Sequence, residues 1–466
     1  MVLTGSAPAD ARSACGRRFL ELCSWAATTS LDAVPAQVRR RASLIFRTIS
    51  PPSSRRRPSR KWPPSRPSSP GAPAVRRLAT VLGRTAVARR SPYRRGRQRH
   101  WRSVGRNSTR AIGSLPVMRG AYIIPALIAE AEATGAPTAD VIASLAVAYE
   151  VTARIAHAFP AQPLRVHPHG AFAPLGAAAG LARLRGYATK DFAAALSSAM
   201  SMSHAGPYSH APAGALARNA WTATGAWAGY RAADWAPIGI GGLPETIFDV
   251  MATCYGHEAL PDRLTADLGT SWAVSSGYHK MIACCQYAHS AVEATLRLRA
   301  EIPALKDPAN IAAIVVATHP MGETLATPEP ETVLAGKFSM LHAVATTVVH
   351  GSAGAGAFAR GSLSDPQVTA LRSRIRLVPH EDLKPWPKDR PARVEVTLTD
   401  GSRGAVSIDS ARGGPDDPFS EAELRGQDRG ADRGPLSGHG GKGLSGLTTS
   451  QKRWADDVAA MVAQPN

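Results

Sequence analysis

The sequence has no uninterrupted apolar run of the roughly 18–20 residues that a membrane-spanning helix needs. Its N-terminus, MVLTGSAPADARSACGRRFLELCSW, has no continuous apolar core after the basic residues, so no secretory signal is predicted. The five cysteines form no CxxC pair and no metal-ligand spacing, and their number is odd. These absences predict a reduced cytoplasmic protein that has neither a membrane partner nor a metal site.

Nucleotide-binding and common hydrolase motifs are also missing. The chain has no P-loop, GxSxG or HExxH pattern. The glycine runs near 240 and 440, the second of which contains GHGGKG, lack the strand–loop–helix context that a GxGxxG fingerprint needs. We therefore expect no cofactor.

Acidic residues are absent from one long stretch. No Asp or Glu occurs between Asp32 and Glu130, whereas residues 33–129 carry 23 Lys and Arg. The rest of the chain has 32 basic and 35 acidic residues, a net charge of −3, although the whole chain has a formal charge of +20. The basicity thus belongs to one block and not to the whole chain.

The Arg-, Pro- and Ser-rich residues 47–117 have three interpretations. They could form a basic arm that binds nucleic acid or anionic membrane, a solvated linker, or the product of an out-of-frame translation of GC-rich DNA. Few aromatic residues lie among the arginines, which argues against specific RNA recognition. We do not expect nucleic acid to be the main partner.

Residues 120–260 show helical periodicity and no strand-like alternation. Helices are predicted at 16–46 (two helices, with Ser30 or Asp32 as the second N-cap), 120–135 (ended by Gly135), 138–159 (with Thr138 as N-cap and Asp140 in the first turn), 171–187, 190–204 and 213–234. This part is predicted to be all-helical.

The pattern changes after residue 300. We predict a buried strand at 310–320, one helix at 331–351, a short helix in DPQVTALRSRI, and a hairpin at 392–409 that turns at Asp400-Gly401. A chain of 466 residues can bury a large core, and two domains are the default expectation.

The fold class is therefore mainly α, with a large all-helical domain and a smaller α+β domain. The proposed boundaries are 1–46 (N-terminal helices of the helical domain), 47–119 (Arg/Pro/Ser-rich segment), 120–270 (helical domain), 271–410 (α+β domain) and 411–466 (irregular tail and a C-terminal helix that returns to the helical domain).

Residues 272–298 concentrate polar groups in apolar sequence. Lys280, Cys284, Cys285 and His289 fall within ten residues, just before a helical pattern. If the helix begins near Cys285, its free N–H groups and dipole favour an anion such as a carboxylate or phosphate. The alternative is an exposed lysine beside an ordinary core His and Cys.

Histidines and a buried-type arginine mark a second region. His167 and His169 flank Pro168 ahead of an Ala-rich helix, where a histidine could act as a catalytic base; a metal site or a surface turn are the alternatives. Further on, His210 and Arg218 precede or enter another apolar helix. Burying Arg218 requires an anion or a carboxylate, and we expect an intramolecular Asp or Glu.

The segment GKFSMLHAV contains a third set of polar residues. Lys337 and His342 are five residues apart, so on one helix they would face different directions. His342 lies between Leu341 and Ala343 and could be either a catalytic residue or a core histidine.

Taken in order, several motifs resemble the MmgE/PrpD family of 2-methylcitrate dehydratase-like proteins. They are PALIAEAEATG, AYEVTARIA, VHPHGAFAPLGAAAGLARLRG, GALARNAW, IGIGGLP, YHKMIACCQYAHSAVEA, THPMGETLA and AGKFSMLHAVA. The resemblance covers roughly 120–425 and LDAVPAQVRRRA near the N-terminus, and 47–119 do not match.

The resemblance implies a cofactor-independent lyase or isomerase that acts on a small di- or tricarboxylate. It also implies a homodimer in which the smaller α+β domain acts as a lid over a His- and Lys-rich cleft. Chemically, such a site needs a base to remove a proton beside a carboxylate and cations to hold the developing charge.

The resemblance also suggests residue roles. His167 falls on the family's histidine in its His-Pro-x-Gly motif, Lys280 on a site lysine, and His342 on a tyrosine or polar site position. The catalytic candidates are His167, Lys280, His289 and His342, and the substrate-binding candidates are His169, His210, Arg218 and Cys285.

Two departures from the family pattern concern the site. Ser209 stands where the family has a lysine, so His210 or Arg218 would have to supply the charge, and Met118-Arg119-Gly120 lacks an expected histidine. Our hypothesis is that frame slips produced much of 47–119, which would explain the second departure, and also 425–444. The alternatives are a catalytically impaired family member, or a nucleic-acid-binding protein that acts through 33–119.

Overall fold

The computed structural model describes residues 9–30, 32–49, 111–112, 119–161, 164–420, 423–424, 450–454 and 456–457. The expectations for most of 47–119, for 425–444 and for most of the C-terminal helix lie outside these residues. The described part is mostly helical and contains a small mixed four-stranded sheet.

The helices before residue 260 are α1 (Ala9–Thr28), α2 (Ala36–Ile49), α3 (Arg119–Thr134), α4 (Thr138–Ala158), α5 (Pro168–Leu184), α6 (Thr189–Ser201), α7 (Ala217–Trp235) and the one-turn α8 (Thr246–Phe248), which continues as a π-helical turn, Asp249–Cys254. They share one hydrophobic cluster that includes Phe19, Tyr122, Tyr149, Phe172 and Phe192. The prediction of helices in this part is confirmed, including the end of α3 at Gly135, whose φ is +72°.

Two predicted helix caps were wrong. Helix α2 begins at Ala36, after Pro35, whereas the Ser30 hydroxyl accepts the Ala33 N–H in the preceding turn. Thr138 is the first residue of α4 and not its cap, and its hydroxyl donates to Asp457 Oδ2 at 2.6 Å. In both places a proline precedes the helix, where its fixed φ can start the chain without a side-chain cap.

Close helix packing depends on the small residues in α5 and α7. A Cβ built on Gly229 of α7 would lie 2.4 Å from the Pro174 carbonyl oxygen and 2.6 Å from Ala177 Cβ on α5. A Cβ on Gly176 of α5 would lie 2.9 Å from Tyr122 Cβ on α3. The Ala- and Gly-rich sequence therefore lets α5 lie directly against both neighbours.

Helix α4 passes through the middle of this cluster. By length and composition it is the one described helix apolar enough to cross a membrane, but 94% of its apolar window is buried inside the molecule. Burial on all sides explains its composition, since a helix in the centre of a large core is apolar all round.

The remaining helices are α9 (His289–Glu301), α10 (Pro320–Glu323), α11 (Val333–Lys337), α12 (Met340–His350), α13 (Arg360–Leu363) and α14 (Pro366–Arg372). The strands are β1 (Ala111–Ile112), β2 (Gly277–Tyr278), β3 (Ile311–Thr318), β4 (Ile375–Pro379), β5 (Ala392–Leu398) and β6 (Arg403–Ile408).

The four-stranded sheet has the order β4-β3-β5-β6, with β3 and β4 parallel and the other pairs antiparallel. The predicted strand at 310–320 and the hairpin at 392–409 are confirmed, and Gly401 takes the positive φ (+83°) that the turn needs. The sequence analysis did not identify β4. Helices α9 and α12 pack together, α9 also packs on β5 and β6, and this region forms a second hydrophobic cluster.

The single helix predicted at 331–351 is two helices. Thr332 caps α11 by accepting the Ala335 N–H, and Ser339 caps α12 by accepting the His342 N–H at 3.1 Å. A second N-cap in the middle of the apolar run restarts the helix. Lys337 and His342 therefore lie on different helices.

Two contacts connect distant parts of the chain. Strand β1 pairs with β2, directly ahead of Lys280. Residues 450–454 lie along the start of α4, where the Thr138 N–H donates to the Lys452 carbonyl and the Trp454 N–H donates to the Ala136 carbonyl.

We predict that Gly229→Ala destabilises the protein by about 1–3 kcal/mol, because backbone atoms of α5 occupy the place of the new methyl group. The control is Gly361→Ala on α13, where nothing lies within 4 Å of the added Cβ. Denaturant unfolding measures both. Equal stability of Gly229→Ala and wild type would show that the α5–α7 contact is not as close as described.

Candidate active site

Lys280 follows β2 in a loop that backbone hydrogen bonds hold at both ends. The His279 N–H donates to the Gly413 carbonyl, and the Cys285 N–H donates to the Lys337 carbonyl at 2.7 Å. Cys285 then precedes a 3-10 turn, Gln286–Ala288, that runs into α9. The predicted helix start near Cys285 is therefore confirmed.

A buried ion pair positions the chain that leads into this loop. On α4, Arg154 Nε donates to Glu150 Oε1 at 2.7 Å, and both side chains are buried. Arg154 also donates to the Ala266 carbonyl, and Glu150 accepts the Ala273 N–H. The loop before β2 is thus fixed to the middle of the helical cluster.

Lys280 lies in a cationic environment. Its side chain keeps part of its surface accessible although protein surrounds it closely, so it lines a recess. Burial, together with the positive charges of Arg218 and Lys337, lowers the pKa of Lys280 from 10.5 to about 8, although the Cys285 and Cys284 thiols oppose this. A fraction of the amine is consequently neutral near neutral pH.

Arg218, in the first turn of α7, is 2% exposed. One of its nitrogens donates to Asn219 Oδ1 at 3.3 Å, and its guanidinium carbon lies 5.5 Å from the centre of the Phe338 ring. Within the described residues its buried Nε makes no hydrogen bond and no carboxylate pairs with it. The expected intramolecular Asp or Glu partner is therefore not found among the described residues.

A buried charge without a partner is costly, and an anion in the recess would offset that cost. Burial lowers the pKa of Arg218 to about 10, so the group stays protonated at neutral pH. Two residues could replace the lysine that the family has at the position of Ser209. Arg218 is buried near Lys280, whereas His210 is exposed.

Lys337, at the end of α11, is 6% exposed, and burial lowers its pKa. It lies close enough to Arg218 and Cys284 to be affected by their charges. We call Arg218, Lys280 and Lys337 the cationic cluster. The sequence analysis assigned no role to Lys337.

The vicinal thiols do not neutralise the cationic cluster. Burial raises the pKa of Cys284 to about 12 and also raises the pKa of Cys285. Both are therefore neutral thiols at neutral pH, and Cys285 contributes a small polar surface beside Lys280 and Arg218.

His167 is the N-cap of α5, and its Nδ1 accepts the His169 N–H at 3.1 Å. Because a backbone N–H only donates, the neutral ring carries its proton on Nε2. Burial and the charge of Arg218 lower the pKa of His167 well below 6.5. The ring stacks on Tyr208, with centroids 5.7 Å apart. His167 is thus a neutral hydrogen-bond donor beside the cationic cluster.

His169 is buried in the first turn of the same helix. Its Nδ1 lies 2.9 Å from the Tyr122 hydroxyl, and its ring meets the His167 ring edge-on at 4.4 Å. Tyr122 in turn lies close enough to Arg218 to raise the pKa of its guanidinium. His169 therefore supports His167 and borders the cluster.

His289 is fully engaged within the protein. Its Nε2 donates to the Cys284 carbonyl at 3.3 Å, so its Nδ1 must accept the Tyr278 hydroxyl at 2.8 Å. Burial lowers its pKa well below 6.5. Both ring nitrogens of His289 thus have partners within the protein, and the residue is 1% exposed, which is typical of a structural histidine.

His342 belongs to a different environment. Its Nδ1 accepts from Arg372 at 3.4 Å and its Nε2 lies 3.2 Å from Ser362 Oγ. Burial and Arg372 lower its pKa to about 4. None of these contacts, within the described ranges, reaches the cationic cluster, so the structure supports the core-histidine alternative.

His210 lies at the rim. It is exposed and stacks on Trp221 at 5.9 Å, and Trp221 also contacts the His167 and His204 rings. Among the described residues, no group of three or more His, Cys, Asp or Glu could hold a metal ion.

The arrangement can bind and polarise an anion. The amines of Lys280 and Lys337 and the guanidinium of Arg218 lie near one another, and no described carboxylate pairs with Arg218 or Lys280. Such fixed positive charges in a poorly hydrated recess stabilise negative charge that develops on a bound carboxylate.

We predict that Arg218→Met raises the unfolding temperature of the ligand-free protein, because it removes an uncompensated buried charge worth about 1–4 kcal/mol. Citrate should stabilise wild type by binding the folded state, and the variant should lose that stabilisation. Arg376→Met, at an exposed position of β4, should change neither value. A citrate shift that survives in Arg218→Met would contradict the assignment.

Comparison with known protein families gives two matches. The MmgE/PrpD N-terminal domain matches residues 115–257, and the MmgE/PrpD C-terminal domain matches residues 282–426. No curated protein matches the chain. Arg218 lies in the first match and Lys337 in the second, while Lys280 falls in the short stretch between them. The two matches together span more than half of the chain, which therefore belongs to the MmgE/PrpD family.

Proposed function

We propose that this chain is a cofactor-independent, 2-methylcitrate dehydratase-like lyase that acts on a small di- or tricarboxylate. The observation that carries the proposal is the buried Arg218 guanidinium beside Lys280, with no described carboxylate paired to either. Membership of a dehydratase- and lyase-type family supports the same conclusion.

Arg218 is assigned to the substrate carboxylate next to the reacting carbon. When a proton leaves that carbon, negative charge moves onto the carboxylate, and a guanidinium fixed in a recess stabilises it. The Phe338 ring and Asn219 hold the guanidinium in place, so little reorganisation is needed during the reaction.

Lys280 is assigned as the base. The three predicted catalytic histidines do not fit this role: His167 holds its proton on Nε2, and His289 and His342 use both ring nitrogens. The neutral amine of Lys280 accepts the C–H proton and becomes an ammonium ion. Lys280 thereby takes the role of base that the sequence suggested for His167.

Loss of water completes the reaction. The C–O bond breaks as the carbon–carbon double bond forms, and the leaving oxygen takes a proton from the Lys280 ammonium ion. His167 Nε2–H donates a hydrogen bond to that oxygen. The substrate thereby loses one proton and one hydroxide, and Lys280 returns to its neutral form.

The two hydrophobic clusters are assigned to a helical domain and a smaller α+β lid, with the recess between them. Arg218 comes from the helical part and Lys337 from the mixed part, so closure of the lid would complete the cationic cluster. We also propose a cytoplasmic location.

The direct test is exchange of substrate hydrogen for deuterium in D2O, followed by proton NMR with 2-methylcitrate and citrate. Exchange reports proton removal whether the product forms by dehydration, decarboxylation or epimerisation. We expect exchange catalysed by wild type and none by Lys280→Arg, because a guanidinium stays protonated.

The exchange rate at low substrate should rise with pH to a plateau above about 8, because only neutral Lys280 accepts a proton and its pKa is about 8. Below that pH the rate should fall about tenfold per pH unit. Exchange in Lys280→Arg at the wild-type rate, or a rate that falls as pH rises from 6 to 8, would refute the assignment.

We propose that the protein forms a homodimer. Ile238, Ile240 and Leu243 lie in one loop after α7 and are 70, 50 and 60% exposed, which is unusual for apolar side chains in a row. Light scattering should show a dimer for wild type and a monomer for Ile240→Asp. Leu383→Asp, at another exposed apolar position, should remain dimeric. A monomeric wild type would contradict the proposal.

A further inference from the structure

The sequence contains the pattern His-Pro-x-Gly twice, at 167–170 and at 319–322. Both copies fold in the same way. His319 caps α10 as His167 caps α5, and its Nδ1 accepts the Met321 N–H at 3.0 Å, against 3.1 Å for the first copy. Their backbone angles are also alike, with φ/ψ of −70°/131° and −59°/147°.

The residue types explain this geometry. Proline has no N–H, so the next residue offers the first free backbone donor to the histidine ring. Glycine at the fourth position allows a close approach: a Cβ on Gly170 would lie 2.3 Å from the His204 carbonyl oxygen, and one on Gly322 would lie 2.4 Å from Thr318 Oγ1. The cap therefore fixes the proton of both neutral rings on Nε2.

Both rings stack on a tyrosine near the cationic cluster. His319 lies on Tyr287 with centroids 5.3 Å apart and planes 22° apart, and His167 lies on Tyr208 at 5.7 Å and 21°. Tyr287 lies close enough to Tyr208 to raise its pKa, and Cys285 acts on the pKa of both tyrosines. The two histidines thus stack on two tyrosines that lie near each other.

A further positive charge lies on the His319 side. The Arg390 guanidinium carbon is 5.4 Å from the centre of the Tyr287 ring, and the charges of Arg390 and its neighbour Asp389 both act on His319. Asp389 lies 3.4 Å from Arg390 and balances part of its charge. His319 itself remains partly exposed, and its Nε2 makes no hydrogen bond within the part of the chain that is described.

We propose that His319 is a substrate-binding residue whose Nε2–H donates to the second carboxylate of the substrate, opposite the carboxylate held by Arg218. This rests on the proposed function and identifies the residue that binds the second carboxylate of the di- or tricarboxylate substrate. His319 was not among the residues singled out from the sequence.

The test compares two probes, succinate with two carboxylates and propionate with one, by calorimetric titration of the full-length protein. In His319→Asn, the amide oxygen can still accept the Met321 N–H, because asparagine is a good N-cap, but the Nε2 donor is lost. We expect His319→Asn to bind succinate about tenfold more weakly than wild type and propionate within twofold of it.

Two further variants separate folding from binding. His319→Phe keeps a ring against Tyr287 without a donor and should lose succinate affinity to the same extent, whereas His350→Asn, at the end of α12, should bind both probes as wild type does. Unchanged succinate binding in His319→Asn, or equal loss of both probes, would overturn the proposal.

Arg218→Met distinguishes this proposal from the function on which it rests. If that variant loses both probes while His319→Asn loses neither, the carboxylate site stands and the role of His319 fails. If wild type binds neither probe, or Arg218→Met binds both normally, the proposed function fails and the role of His319 fails with it.

Discussion

The structure depends on one electrostatic constraint: a guanidinium and two amines are enclosed together with no described carboxylate paired to Arg218 or Lys280. A protein core does not tolerate this arrangement without cost, since separating a charge from water is unfavourable unless a partner replaces the water. The partner that fits is a bound anion. The two large hydrophobic clusters stabilise the folded state and offset this cost. The Glu150–Arg154 ion pair fixes the chain that leads to Lys280.

The histidines show how hydrogen-bond direction assigns chemistry. A residue type that ordinarily exchanges protons near neutral pH is held here in one tautomer wherever a backbone group occupies one ring nitrogen. In the N-cap, Nδ1 of His167 and of His319 accepts a backbone N–H, so the donor of each ring is Nε2. His289 has a partner on each ring nitrogen and none left for a ligand. We therefore assign proton removal to Lys280, because burial and neighbouring positive charges lower its pKa and leave part of its amine neutral.

Much of the secondary structure followed from the sequence because local rules decide it. Gly135 ends a helix and Asp400-Gly401 turns a hairpin for reasons contained within a few residues. The break at Phe338-Ser339 was not foreseen, because an apolar helical run continues across it and only the Ser339 cap interrupts it.

The site was predicted less completely. Residue types and order indicated Lys280, His167 and Arg218. That Arg218 has no acidic partner among the described residues is a property of packing between residues far apart in the chain. The same is true of His342, whose partners Arg372 and Ser362 lie 20 or more residues away.

The central claim is that the recess around Arg218 is an anion site. A crystal structure of the full-length protein with tricarballylate tests it most directly: the claim predicts a carboxylate oxygen about 3 Å from Arg218 Nε, and a protein carboxylate in that position, with the ligand bound elsewhere, would contradict it.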